Sequence, residues 1–181
     1  CIAKIKKFFL NSNENRINFR PDFLYKYIDK KILPYRNSYF DILYLHSPSI
    51  DELSFINLKN FSNYLSNKFG IYKIGVSTDS ILNFIDTDFL RYIEVVQIPY
   101  YEYAGNRRKY QILKKKYNFK LYVNRIFKNL NDSDSFNYFY KHRFKSILLD
   151  NNIDKIVIGI TKIEHLLLFD KYLKYYDKKR K

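Results

Sequence analysis

Short apolar runs alternate with helix-period segments along the whole chain. Phe40 to Leu45 is a near-continuous apolar run, and similar runs recur at Ile71 to Val76, Ile93 to Ile98, Phe119 to Val123 and Ile153 to Ile158. Ile2-Ala3 reads as the end of one more strand. Between these runs, Pro21 to Leu33 spaces Phe23, Leu24, Tyr27, Ile28 and Ile32 along one helical face. Ser49-Ile50-Asp51-Glu52 has the form of a capping box, a hydroxyl N-cap followed three residues later by a carboxylate. The helix it opens is predicted to run through Leu53, Ile56, Phe61 and Leu65 to a left-handed stop at Gly70. Further helices are predicted over Ser80 to Ile85, Arg108 to Tyr117 with a stop at Asn118, Ser133 to Leu149, and Lys162 to Tyr175.

Strands apolar on both faces, each followed by a helix, belong to parallel sheets covered by helices. Two architectures fit that order, an open doubly wound sheet and a closed barrel. No Gly-x-Gly-x-x-Gly follows any strand, and the chain has only 4 glycines, so the usual dinucleotide fingerprint is absent. Polar residues instead follow successive strands: His46, Ser77-Thr78, Gln97, Arg125 and Thr161-Lys162. That is the distribution of a barrel whose chemistry sits at the C-terminal ends of its strands. A (β/α)8 barrel occupies about 250 residues, whereas this chain has 181. The expectation is one α/β domain over residues 1–181, a (β/α)8 TIM barrel with about six strand–helix units and its first two strands missing. Residues 175–181 read as a frayed basic tail.

Composition changes this picture little. Hydrophobic residues make up 46% and charged residues 28%, the mixture of a soluble globular domain. No apolar run reaches the roughly 18 residues of a membrane span. The opening stretch carries Lys4, Lys6 and Lys7 and lacks the apolar block of a signal peptide. A single cysteine makes no internal disulfide, so a cytoplasmic protein is the default expectation. The chain has no methionine and begins at Cys1. Initiator removal or a lipid-modified cysteine would account for that, but Ile2-Ala3-Lys4-Ile5 reads as a buried strand, which favours truncation. The formal charge of +15 raises the case for anionic partners. The lysines are scattered, however, and occur with abundant Asn, Ile, Tyr and Phe, a joint enrichment that AT-rich codon bias produces by itself.

Tyr39-Phe40-Asp41-Ile42-Leu43-Tyr44-Leu45-His46-Ser47-Pro48 resembles the fourth-strand motif of the aldo-keto reductases. Ile74-Gly75-Val76-Ser77 resembles that family's fifth strand, Val96-Gln97-Ile98-Pro99-Tyr100 the sixth, and Ile158-Gly159-Ile160 the eighth. The four motifs occur in the family's order, and the Gln-Ile-Pro-Tyr stretch with Arg107 downstream is most similar to a bacterial branch linked to surface polysaccharides. The resemblance implies reduction of a carbonyl by hydride from NADPH or NADH, with NADPH the family-level expectation. It implies a catalytic tetrad of Asp, Tyr, Lys and His, of which His46 matches the histidine. Cys1-Ile2-Ala3-Lys4 is similar to the strand that ends in the tetrad lysine. In such a tetrad the lysine charge lowers the tyrosine pKa, and the histidine orients the carbonyl and assists proton transfer. The family's Asp and Tyr precede its third strand, so none of the 19 tyrosines is assigned as proton donor and the chain by itself is expected to be inactive. Ser77 and Gln97 match the residues that hold the nicotinamide carboxamide. Thr78 stands where the family has Asn, and Arg125 lies where it contacts the ring and pyrophosphate. Thr161 and Lys162 open a helix whose N-terminus favours a phosphate.

Each of these residues also has a plainer reading. A histidine beside an apolar strand is commonly a structural residue, Gln97 could bond only backbone, and Arg125 could form a rim salt bridge. His142 and His165 lie on predicted helices without metal-ligand partners, and no Cys/His cluster implies a metal. The runs Arg107-Arg108-Lys109, Lys114-Lys115-Lys116 and Lys178 to Lys181 read as solvated faces and tail. The leading expectation is thus a reductase acting on a small-molecule carbonyl (aldehyde, ketone or sugar), with neither nucleic acid nor membrane as partner. A non-catalytic barrel remnant acting as an accessory protein is the alternative, and a basic nucleic-acid-binding module is the third reading. Expressed alone, such a fragment is expected to be unstable or to associate.

Overall fold

The computed structural model describes residues 2–4, 21–35, 40–54, 56–126 and 144–159, together with Ile163, Leu166, Leu167, Phe169, Asp170, Leu173 and Lys174. Six parallel strands form one sheet in simple sequential order: β1 (Ile2–Lys4), β2 (Ile42–His46), β3 (Lys73–Ser77), β4 (Val95–Pro99), β5 (Lys120–Asn124) and β6 (Lys155–Ile156). Every neighbouring pair is parallel. No strand is skipped, so the order contains none of the reversal that defines a doubly wound sheet. This is the succession of a (β/α)8 barrel wall.

The strands look uniformly apolar because both faces are covered, and alternation separates two cores. Leu43, Leu45, Ile74, Val76, Val96, Ile98, Leu121 and Val123 face the helices and join the main core. Ile42, Tyr44, Val95 and Tyr122 form a second cluster on the opposite, inner face. Gly75 sits on that inner face beneath the ring of Tyr44. A Cβ built there would stand 2.7 Å from Tyr44 Cδ1 and Cε1, so only glycine lets the ring lie across β3.

The helices follow the expected order with specific differences. Helix α1 (Pro21–Ile32) buries Leu24, Ile28 and Ile32. Its seam is narrower than the pattern implied: Phe23 is exposed and stacks on Tyr27, 6.2 Å between centroids, outside the core. The capping box is present, with Ser49 N donating to Glu52 Oε2 (2.8 Å) and Glu52 N donating to Ser49 Oγ (3.2 Å). It opens only the short helix α2 (Ile50–Ser54), and the single helix expected from Ser49 to Gly70 is in fact two. The second, α3 (Leu58–Phe69), starts afresh at Asn57, whose side chain accepts from Asn60 N at 3.0 Å. A carboxamide that bonds local backbone favours an N-cap over a helix interior. The restart also lets Ile56, Leu58, Phe61 and Leu65 all be buried. Gly70 ends α3 at φ 66°, the left-handed stop read from the sequence.

After β3 the predicted Ser80 to Ile85 helix is a single 3-10 turn, Leu82–Phe84, and a second 3-10 segment, Asp88–Tyr92, follows. Beyond β4 comes an unforeseen short helix, α4 (Tyr100–Gly105), then α5 (Arg107–Tyr117), which Asn118 closes at φ 56°. Of the predicted Ser133 to Leu149 helix, residues 133–143 lie outside the described residues, while Lys145–Leu148 is helical. Strand β6 is shorter than the run from Ile153 to Ile158. The described residues between 163 and 174 are helical, and residues 175–181 lie outside the description. Among the described residues no helix is long and apolar enough to cross a membrane.

Candidate functional site

The register of the sheet brings the strand-end polar residues into one row. His46 pairs with Ser77 across β2 and β3, and Ser77 pairs with Gln97 across β3 and β4. Tyr44, two residues before His46, belongs to the inner cluster, so His46 shares that inner face. Ser77 follows Gly75 and Gln97 follows Val95 by the same two-residue step. The three side chains therefore line the inner wall at its C-terminal end. Ser77 and Gln97 are the buried polar residues among those described, 4% and 6% exposed in a sheet otherwise buried through hydrocarbon. Burying an amide or hydroxyl is unfavourable unless a partner compensates, so polar residues in this row point to a purpose other than packing.

The rim above the row is built from tight turns. Ser47, directly after His46, has φ 50° and donates its N–H to Ser77 O at 2.7 Å. Thr78 N donates to Gln97 O at 3.1 Å, and Thr78 Oγ1 donates to Ser80 O at 3.4 Å, so the Thr78 hydroxyl belongs to its own loop. Glu102 Oε1 accepts from Ser80 Oγ (2.7 Å) and Tyr110 Oη (2.9 Å), fastening the loop after β3 to α4 and α5. Burial first, then the bonds to Ser80 and Glu102, displace the Tyr110 phenol, with a net rise above its ordinary pKa. Arg125 takes φ 51° immediately after β5, and its Nη1 donates to Asp79 Oδ1 at 2.8 Å. Both partners are exposed, and the pair spans the end of β4 from the loop after β3 to the loop after β5.

Arg125 thus lies on the rim in a salt bridge, and the residue on the inner wall at the end of β5 is Asn124. Asn124 pairs with Pro99 and stands two residues beyond Tyr122, a member of the inner cluster. Its Oδ1 is buried without a hydrogen-bond partner among the described residues, as is Oη of Tyr44 deeper in the wall. Burial, and the proximity of Tyr122, push the Tyr44 phenol well above its ordinary range. The apolar run Phe119 to Val123 marks Asn124 only as a strand-end polar residue, and the neighbouring Arg125 carries the charge that the resemblance points to. Period-two counting from Tyr122 would have found Asn124.

Lys4 closes β1 in register with Tyr44, next to the strand that carries His46. Its backbone is described and its side chain is not. Thr161 and Lys162 lie outside the described residues, as do His142 and His165. No group of His, Cys, Asp and Glu among the described residues could hold a metal ion. Two further hollows lie away from the row. One, about 410 Å³, lies between α2, the start of α3 and the 3-10 segments. The other, about 500 Å³, lies between β6, Phe144 and the last described helical residues.

No protein-family model matches the sequence, and no curated protein is significantly similar to it. Solved structures do match its fold. The aldo-keto reductase AKR11C1 from Bacillus halodurans, in its holo form, matches with a TM-score of 0.68 at 11% identity, over 95% of this chain and 66% of that one. The thermostable aldo-keto reductase Tm1743, in complex with the inhibitor epalrestat, matches with a TM-score of 0.59 at 17% identity, over 87% of this chain and 62% of that one. This chain therefore spans just under two thirds of the length of either structure. Its fold is similar to that of these aldo-keto reductase barrels, over a sheet of six consecutive parallel strands.

Proposed function

We propose, from the barrel fold shared with the aldo-keto reductases, that this chain is the larger part of an enzyme that reduces a carbonyl with NAD(P)H. The observation that carries the proposal is the single inner-wall row of His46, Ser77 and Gln97, set by register across three adjacent strands. Ser77 and Gln97 offer a hydroxyl and a carboxamide side by side in a buried wall, a donor and acceptor set that fits the nicotinamide carboxamide. Bound there, the cofactor supplies hydride. Gln97 and Ser77 would fix the edge of its ring, and His46, on β2 across β3 from Gln97, would meet the reacting carbonyl oxygen. An imidazole N–H donating to that oxygen would orient the substrate and stabilise charge developing on it. Lys4, at the end of β1, is the cation that would ease proton release from a tyrosine donor. That tyrosine and its aspartate are assigned to the part of the barrel outside the portion this chain spans, so the 181 residues alone are not expected to turn over.

Arg125 is proposed to meet the cofactor's phosphates by exchanging Asp79 for them, and Thr161 and Lys162, at the helix start predicted from the sequence, to do the same. NADPH is preferred to NADH in this reading, and the substrate is an aldehyde, ketone or sugar. The test is NAD(P)H oxidation by the full-length gene product against a panel of small aldehydes, ketones and aldoses. Turnover that falls by about 10²-fold or more in His46→Ala supports the proposal. Dinucleotide binding without turnover on any carbonyl would favour a non-catalytic barrel, and absence of both would end the reductase reading.

A further inference from the structure

We infer that Asn124 is a specificity residue for the nicotinamide carboxamide, accepting a hydrogen bond from its amide N–H. The inference rests on the reductase reading above and adds a contact to it. Three observations carry it. Register with Pro99 and the two-residue step from Tyr122 place Asn124 on the inner wall, on the strand next to that of Gln97. Its Oδ1 is buried with no hydrogen-bond partner among the described residues, although a carboxamide oxygen normally finds a donor inside a protein. The following residue, Arg125, is turned to φ 51° and bonded to Asp79, which leaves Asn124 as the side chain that β5 delivers to the C-terminal end of the wall, beyond Tyr122.

The position in the sheet decides which ligand group the missing donor belongs to. In strand order the inner-wall polar side chains are His46, Ser77 and Gln97 at one level and then Asn124 on β5, in register with Pro99 and so one step further toward the C-terminal ends of the strands. Asn124 lies on the far side of Gln97 from His46, beside the pair Ser77 and Gln97 that the proposed function gives to the cofactor. A hydroxyl on the substrate would approach from the His46 end. A primary amide has two N–H groups and one oxygen. Gln97 and Ser77 provide both donors and acceptors for it, while the Asn124 oxygen can serve only as acceptor. A site with an acceptor of this kind discriminates against a ligand lacking the N–H, because the buried oxygen then stays unpaired.

The experiment compares dissociation constants of NADPH and its 3-acetylpyridine analogue, in which a methyl ketone replaces the amide and removes both N–H donors. Fluorescence or calorimetric titration of the full-length gene product gives both constants without turnover. Wild type should bind NADPH the tighter of the two, and Asn124→Leu should shrink that preference by about tenfold, the size of one buried hydrogen bond. Asn124→Asp keeps an acceptor in place and should retain most of the preference, and it also serves should the leucine variant fail to fold. An unchanged ratio in Asn124→Leu, or a ratio lost equally in Asn124→Asp, would overturn the assignment of Asn124. A wild type that binds neither dinucleotide would instead overturn the reductase reading itself.

Discussion

His46 sits two residues beyond a tyrosine whose ring covers Gly75, and that arrangement decides what each position tolerates. Gly75→Ala would drive a methyl group to 2.7 Å from the Tyr44 ring and 3.2 Å from Ile42 Cγ2. Overpacking of this kind destabilises by about 1–3 kcal/mol. Chemical denaturation should therefore show a lower midpoint for Gly75→Ala, and an unchanged midpoint would mean that the ring swings freely. His46→Ala removes only a half-buried side chain at the rim, so its main effect should fall on turnover and not on folding. The row of His46, Ser77 and Gln97 was legible in the sequence because each is the first polar residue after an apolar strand. Asn124 is likewise the first polar residue after an apolar run, but the resemblance assigns Arg125 beside it, and only the fold shows that Arg125 turns away to Asp79 and leaves Asn124 on the inner face. Arg125 stood out as a charge, and its left-handed turn and its partner Asp79 depend on loop geometry that no local pattern encodes.

At the scale of elements, local chemistry marked where helices begin and end better than how far they run. Ser49 and Glu52 form their reciprocal box, and Gly70 and Asn118 close their helices in the left-handed region. The sequence pattern nevertheless missed the restart at Asn57, since apolar spacing runs smoothly through Ile56 and Leu58 and only the cap reveals the break. Asn57→Ala should lower stability by about 1 kcal/mol, as loss of an N-cap does, whereas an asparagine inside a continuous helix would gain from the change. The sign of the shift in the urea midpoint distinguishes the two.

The loop before β6 is fastened similarly. Burial raises the Asp150 carboxyl, but bonds from Tyr103 (2.6 Å) and Asn152, with the Arg107 charge at 2.7 Å, outweigh it and leave the pKa below the ordinary carboxylate range. A carboxyl depressed in the folded state adds stability above its unfolded pKa of about 3.9 and loses it as pH falls through the folded value. Stability should thus drop on acidification below about pH 4, and Asp150→Asn should flatten that part of the profile while lowering stability at neutral pH. A profile identical to wild type in that range would show that the Tyr103–Arg107–Asp150 cluster contributes nothing to it.

At the scale of the whole molecule, the parallel alternation was readable from the sequence because βαβ order fixes both the covering of the sheet and its direction. Strand-end polarity distinguishes a barrel from an open sheet, and the sequential strand order agrees with the barrel. Closure is a longer-range property. Within the described residues β1 and β6 each pair on one side only, and Ile163, Leu166, Leu167 and Leu173 in the last helical stretch are exposed. Unpaired edges and apolar surface of this kind favour association. The 181-residue chain expressed by itself should elute larger than a monomer in gel filtration at micromolar concentration; a sharp monomeric peak with a cooperative melt would contradict this.

The most direct measurement of the proposed chemistry is the dissociation constant for NADPH of the full-length gene product, wild type against Gln97→Leu. If the inner-wall row holds the nicotinamide carboxamide, wild type binds and the variant binds about tenfold or more weakly, with folding intact. Equal affinity in the two proteins, or no binding by wild type, would contradict the assignment of this row as a nicotinamide site.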